Sequence, residues 1–339
     1  MTPRGRTALG LAVSALALGV LVLAAFAVGR YPVAPGDLVA IFWAKIAGHA
    51  HGLPGAAEAV VFRIRGPRIL GAVLVGAALA AAGAAYQGLF RNPLVSPDIL
   101  GVSSGAALGA VLGIFLSLDA VSIQLLAFAF GLAAVGAVYF VANSVRGHDP
   151  ILVLVLAGVV VGALLGACVA LLKVLADPYN QLPAITFWLL GSLAGATGGD
   201  VLGALPAVLL GLVPLFLLRW RMNLMALGDE EARALGVDVT RLRLAVIAAA
   251  TLVTAAVVSI AGVVGWVGLL VPHFARMAVG PDFARLLPTA ILMGAAYMLG
   301  VDTLARSMAL IEVPLGVLTA FIGTPLFIWL LATARRSWQ

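Results

Sequence analysis

The sequence predicts an all-α integral membrane protein of about ten transmembrane helices, and three observations carry that prediction. Of its 339 residues, 63% are hydrophobic and 10% charged, whereas a soluble domain is about half apolar and roughly a quarter charged. The apolar residues form runs long enough, at roughly 20 residues each, to cross a bilayer as helices. The strict alternation of apolar and polar residues that a membrane β-barrel needs is missing. Lipid offers the backbone no hydrogen bonds, so a helix bundle is the remaining solution.

In chain order the apolar runs are Ala8–Val28, Ile69–Leu89, Ile99–Leu118, Val121–Ser144, Ile151–Leu175, Val201–Leu218, Leu242–Ile260, Val263–Val279, Leu287–Val301 and Val313–Ala332. A further piece, Thr186–Ala194, is too short to span and reads as a half-helix or surface helix. Ala25-Phe26-Ala27 resembles a signal-peptidase site. The run before it exceeds the usual signal core of about 7–15 residues, which makes it a retained first span. No soluble domain or internal repeat stands out, so residues 1–339 read as one transmembrane domain with a loop at about 225–240.

Ten spans put both termini on one side. With both termini in the cytoplasm of an inner-membrane protein, thirteen of the twenty Lys and Arg residues fall inside and seven outside, as the positive-inside rule requires. The net charge of +6 is therefore a topology signal and not a sign of nucleic-acid binding. Three outside arginines are packed into Arg63-Ile64-Arg65-Gly66-Pro67-Arg68. A positive cluster that resists the rule reads either as a docking surface for an acidic partner, since arginine pairs carboxylates through two bonds, or as a headgroup anchor.

The loop Leu227–Gly236 opens with Asp229, Glu230 and Glu231 and carries Arg233 near its end, before Gly236. Acids favour a helix N-terminus and glycine a C-terminal stop, so a two-turn helix is expected. A helix that short is marginal in water without a partner; an ordinary capped loop is the other reading. Pro93 and Pro97 in Asn92–Asp98 break helix, giving a turn or a broken helix lining a path. His49 and His51 are two histidines in a loop and make no metal site; no zinc spacing or Ser/His/Asp constellation is apparent, and Cys168 is a lone thiol in the middle of an apolar run. No phosphate loop GxxxxGK[ST] is present, so an ATP-driven mechanism needs ATP and Mg on another subunit. Ion-coupled carriers keep ionisable groups at mid-membrane; no clear candidate is visible, which leaves an ion-coupled secondary transporter as the alternative reading.

Several motifs together resemble the permease family of vitamin B12, ferric-siderophore and haem ABC importers, the BtuC/FecCD type. They are Arg65-Gly66-Pro67-Arg68, Gln87, Asn92-Pro93-Leu94, Pro97, Leu100-Gly101, Ser103-Ser104-Gly105-Ala106, Leu227–Gly236, Gly265–Arg276, Val313–Ala320 and Gly323-Thr324-Pro325. The resemblance implies a type II importer permease with no catalytic site or bound cofactor of its own. It implies a homodimer or close heterodimer in the bilayer, two ATP-binding subunits on the cytoplasmic side, and a periplasmic or lipid-anchored binding protein on the other. It assigns Gly228, Asp229, Glu230, Glu231, Ala232, Arg233, Leu235 and Gly236 to ATPase coupling. Arg65, Arg68 and Arg306 are assigned to pairing with glutamates of the binding protein, Arg306 standing one residue closer to Pro314 than in the B12 relative. The expected cargo is a metal chelate, a ferric siderophore first, with haem, cobalamin and molybdate as the other members.

Overall fold

A computed structural model describes residues 3–29, 31–49, 52–145, 150–309 and 311–334. His51, and Arg30, Arg146, Arg335 and Arg336 among the basic residues counted above, lie outside them. The elements are α1 (Pro3–Ala27), α2 (Pro35–Ala47), α3 (Gly55–Ala59), a π-turn (Val60–Arg65), α4 (Gly66–Leu89), a 3-10 turn (Pro97–Leu100), α5 (Val102–Phe115), α6 (Ala120–Ser144), α7 (Pro150–Leu175) and α8 (Gln181–Leu190). They continue with α9 (Gly198–Met225), α10 (Asp229–Ala234), α11 (Val239–Ala261), α12 (Val267–Val279), α13 (Phe283–Ala305) and α14 (Leu315–Ala334).

Each of the ten predicted runs has its helix. Among the described residues, seven helices are long and apolar enough to cross a membrane: α1, the continuous Gly55–Leu89, α6, α7, α9, α11 and α13. The other three, α5, α12 and α14, are shorter apolar helices. The second span begins at Gly55 instead of Ile69, because the π-turn carries the helix past Pro67. A regular turn would press the proline ring on the carbonyl four residues back; a widened turn gives it room. Helix α9 starts on a capping box, in which Thr197 and Asp200 satisfy each other's backbone N–H, and runs past its apolar stretch to Met225. Helix α12 starts later than predicted, after Gly262 and Trp266 turn the chain through φ of 70° and 72°.

Helix α4 is the axis of the bundle: from Ile69 to Leu89 almost every residue is buried, against α13, α11, α12 and α9. Small residues make this packing. A Cβ built on Gly76 would fall on the carbonyl oxygen of Gly294 in α13, and one on Gly294 on that of Gly76. Gly83 meets the backbone of Gly268 in α12 in the same way. With no hydrophobic drive between helices in lipid, such backbone contact is the main source of association. Helices α5, α6 and α7 pack beside this centre. Large apolar side chains point outward along α7 (Leu156, Val160, Leu164) and α14 (Phe321, Ile328), as lipid or a second subunit requires.

Candidate functional site

Two ends and a cavity between them hold the polar and irregular features. At one end, α10 follows α9 through Gly228, whose φ is 127°. The short helix turns two faces apart. Ala232 is fully buried, and Asp229 faces the bundle, its Oδ2 accepting from Nη2 of Arg243 at 2.8 Å. Glu230, Glu231, Arg233, Leu235 and Gly236 are exposed. Close by, Arg91 Nη2 lies 4.0 Å from Asp229 Oδ1. Arg91 ends α4 in the left-handed conformation, φ 50°, with Asn92 N–H returning to the Gln87 carbonyl at 3.1 Å. That is a Schellman-type stop with arginine where glycine is usual. Gln87 itself donates to the carbonyls of Leu269 at 3.0 Å and Val95 at 3.3 Å and accepts from Arg276 at 3.0 Å. It thus ties α4, α12 and the proline-broken connection together. In that connection Asp98 bonds Ser103; burial pushes its carboxyl above its ordinary value while the Ser103 hydroxyl pulls the other way.

At the opposite end meet the end of α1, the start of α4, the end of α13 and the segment before α14. Arg68 Nε donates to both oxygens of Asp302 at 2.9 and 3.0 Å, and its Nη1 to Glu312 Oε1 at 2.8 Å. Arg65 donates to the carbonyls of Phe26 and Tyr31, and Arg306 to that of Ala25. In this structure the three arginines expected to pair with a binding protein are already engaged within the subunit: Arg65, Arg68 and Arg306 are only 4%, 8% and 8% exposed. The cause is local. The last carbonyls of α1 have no intrahelical donors, and Arg65 and Arg306 supply them. Asp302, 1% exposed, needs a counter-charge at that depth, and Arg68 provides it. In the RIRGPR cluster it is Arg63 that is exposed.

Between the ends, the backbone from Gly262 to Trp266 is non-helical within the bundle. Beside it, Ser192 N–H donates to the Ala261 carbonyl at the end of α11 at 2.8 Å, and Leu315 N–H to the Gly191 carbonyl at 2.9 Å. Irregular backbone at that depth is tolerated where protein covers it or where it lines a cavity. A cavity of about 690 Å³ lies against it, walled by Leu189 and Leu190 of α8, Val263, Trp266, and Val317 and Phe321 of α14. Trp266 is held there by Gly323, whose added Cβ would meet the indole at 2.8 Å.

The family model of the FecCD transport family matches residues 16–333. The chain belongs to that family. It is 46% identical over 281 residues to the cobalamin import system permease protein BtuC of Halobacterium salinarum, covering 83% of this chain and 75% of that one. It is 40% identical over 312 residues to the molybdate import system permease protein MolB of Haemophilus influenzae, 92% of each. Among solved structures it resembles an inward-facing metal-chelate type ABC transporter at TM-score 0.86 and 37% identity, over 95% of this chain and 98% of that chain.

This FecCD permease therefore gathers its predicted residues into two separate groups. The α10 residues sit at one end, split between inward and outward faces. The arginines sit at the other, drawn inward. Sequence reasoning missed Arg243, Asp302, Glu312 and Trp266 as members of these places. Asp302 had a signal: an acid at the edge of an apolar run requires a partner.

Proposed function

We propose that this chain is the membrane-spanning subunit of an ATP-driven importer for an organic-shelled metal chelate, a ferric siderophore first. Two copies would pair across the faces bearing α8 and α14, so that their cavities join into one path. The observation that carries the cargo class is the cavity wall. Leu189, Leu190, Trp266, Val317 and Phe321 offer about 690 Å³ per subunit and no charged side chain. A bulky chelate with an apolar rim suits such a wall, whereas a bare oxyanion such as molybdate would lose its hydration there without replacement.

Partner ATPase subunits, holding the ATP and Mg, would meet the exposed face of α10: Glu230, Glu231, Arg233, Leu235 and Gly236, with Gly228, Asp229 and Ala232 shaping it from behind. A binding protein would dock at the end carrying Arg65, Arg68 and Arg306. Because those guanidinium groups are occupied, an acidic residue of that partner would take the place of Glu312, whose side chain is 32% exposed, on Arg68. Both termini would lie in the cytoplasm of an inner-membrane protein, the arginine end facing outward.

The test is uptake into sealed proteoliposomes containing this chain and its ATPase. The binding protein is loaded in turn with ferric siderophore, haem, cobalamin and molybdate. Uptake of a chelate that requires both ATP and the binding protein is the expected result. Uptake that follows an ion gradient with the ATPase left out would refute the proposal and establish a secondary transporter. Transport of molybdate alone would refute the cargo class.

A further inference from the structure

Helix α10 is six residues long, and its covalent attachments are soft. Gly228 before it and Gly236 after it hold φ of 127° and 83°, conformations that glycine adopts and leaves without steric cost. A push on α10 delivered only through these two glycines would rotate the short helix about its ends and leave the long helices where they are. Something stiffer must carry the displacement if it is to reach the bundle.

The structure supplies one such connection. Asp229 Oδ2 accepts from Arg243 Nη2 at 2.8 Å, across 14 positions of chain. Arg243 belongs to the second turn of α11 and its side chain is 10% exposed. Its Nε is buried and has no hydrogen-bond partner among the described residues, and the carboxylate that Arg243 pairs with there is that of Asp229. On the other carboxylate oxygen stands Arg91, 4.0 Å away, fixed at the end of α4 by its left-handed stop. One carboxylate thus joins the start of α10 to α11 and to the axial helix. The remaining acids of the segment, Glu230 and Glu231, are exposed, the Glu231 carboxylate lying back over Gly228 near Arg91. Geometry divides a run of three acids into one that faces the bundle and two that face outward.

We propose that Asp229 is a positioning residue and not a contact for the ATPase: its bond to Arg243, backed by Arg91, is the strut through which movement of α10 is passed to α11 and α4. The inference rests on the reading that the outward face of α10 meets an ATPase, and it assigns a different role to one residue of that segment. A strut is needed for coupling and is not needed for assembly. Its loss separates two quantities that a contact residue would lower together.

The experiment uses the full complex of permease, ATPase and binding protein in proteoliposomes. It measures ATPase co-purification, ATP hydrolysis and cargo moved per ATP. In Asp229→Asn the ATPase is expected to co-purify as in the parent and to hydrolyse ATP, while cargo moved per ATP falls roughly ten-fold, within the range for residues along a coupled network. Arg243→Gln is expected to do the same. The exchanged pair, Asp229→Arg with Arg243→Asp, is expected to recover part of the ratio. If Asp229→Asn is not obtained folded, Asp229→Glu takes its place; it keeps the charge but displaces it by one methylene, and a smaller fall in the same ratio is expected. Loss of ATPase co-purification in Asp229→Asn would make Asp229 a direct contact and overturn the proposal, as would an unchanged ratio. Failure of the underlying reading looks different: there the unmodified chain does not retain the ATPase, or retains it equally well when Glu230 and Arg233 are both reversed in charge.

Discussion

The Arg68–Asp302 pair gives a prediction whose size follows from the structure. Asp302 is replaced by Leu, and Arg68 by Met, singly and together. Removing one partner of a buried ion pair costs about 3–5 kcal/mol, because the other charge is left without compensation. Arg68 in the Asp302→Leu variant keeps its 2.8 Å bond to Glu312, which places that cost near the lower end, about 3 kcal/mol. In Arg68→Met the uncompensated group is Asp302, 1% exposed and 4.0 Å from Arg306 Nε, and a similar cost of about 3 kcal/mol follows. The double variant leaves Glu312 free to turn to water and buries two apolar side chains, so it is expected within about 1 kcal/mol of the parent. The assay is thermal unfolding of the purified subunit in one detergent, followed by tryptophan fluorescence and monodispersity. At roughly 2 °C per kcal/mol for a chain of this size, each single variant should fall by about 6 °C and the double by about 2 °C or less. Single variants that unfold with the parent, or a double variant whose loss equals the sum of the singles, would refute the claim that the pair is a mutually dependent buried unit.

Other outcomes follow from features already described. Gly76→Ala places a methyl on the Gly294 carbonyl and is expected to cost about 1–3 kcal/mol, lowering the unfolding midpoint. Gly136→Ala, with open space around it, should leave that midpoint unchanged. Thr197→Ala removes the capping box of α9 and should cost about 1 kcal/mol in the same assay. Tyr86→Phe deletes the buried 3.0 Å bond to Thr251, with an expected loss of about 1 kcal/mol. Trp266→Gly relaxes the left-handed backbone at 266 by about 1–2 kcal/mol but opens the cavity wall, so uptake should fall while the backbone strain is relieved; unchanged uptake would remove Trp266 from the path.

Much of this architecture is legible in the residues, for a reason specific to lipid. A span must satisfy its own backbone, so each apolar run announces a helix, and all ten predicted runs have one. The breaks are harder to see. The run from Val263 reads as a continuous span, yet its first four residues stay non-helical after Gly262, up to the turn at Trp266; glycine at 262 is a visible signal, while a tryptophan at positive φ is not. The start of the second span was hidden because Arg63, Arg65 and Pro67 look like a loop, although a π-turn threads them into helix. At the arginine end the side-chain composition was legible and its direction was not. Arg68 finds its partners 234 and 244 positions away in the chain, and no local pattern reports a contact of that span. The α10 segment was the most legible piece, since its caps and breaks lie within ten residues, but which of its acids turns inward depends on Arg243 in the next helix.

The glycine contacts along α4 bear on how such a protein can change over time. Where two backbones touch, there is no side-chain volume to trade, and each enlargement must be met by a matching reduction on another helix at the same step. Positions such as Gly76, Gly83 and Gly294 are therefore closed to gradual substitution. The rim formed by Leu189, Val317 and Phe321 is open to it, because those side chains border empty space. On the proposed reading of that rim as the cargo path, a lineage of such permeases can drift toward a new cargo one residue at a time around it, while the axis of the bundle stays as it is.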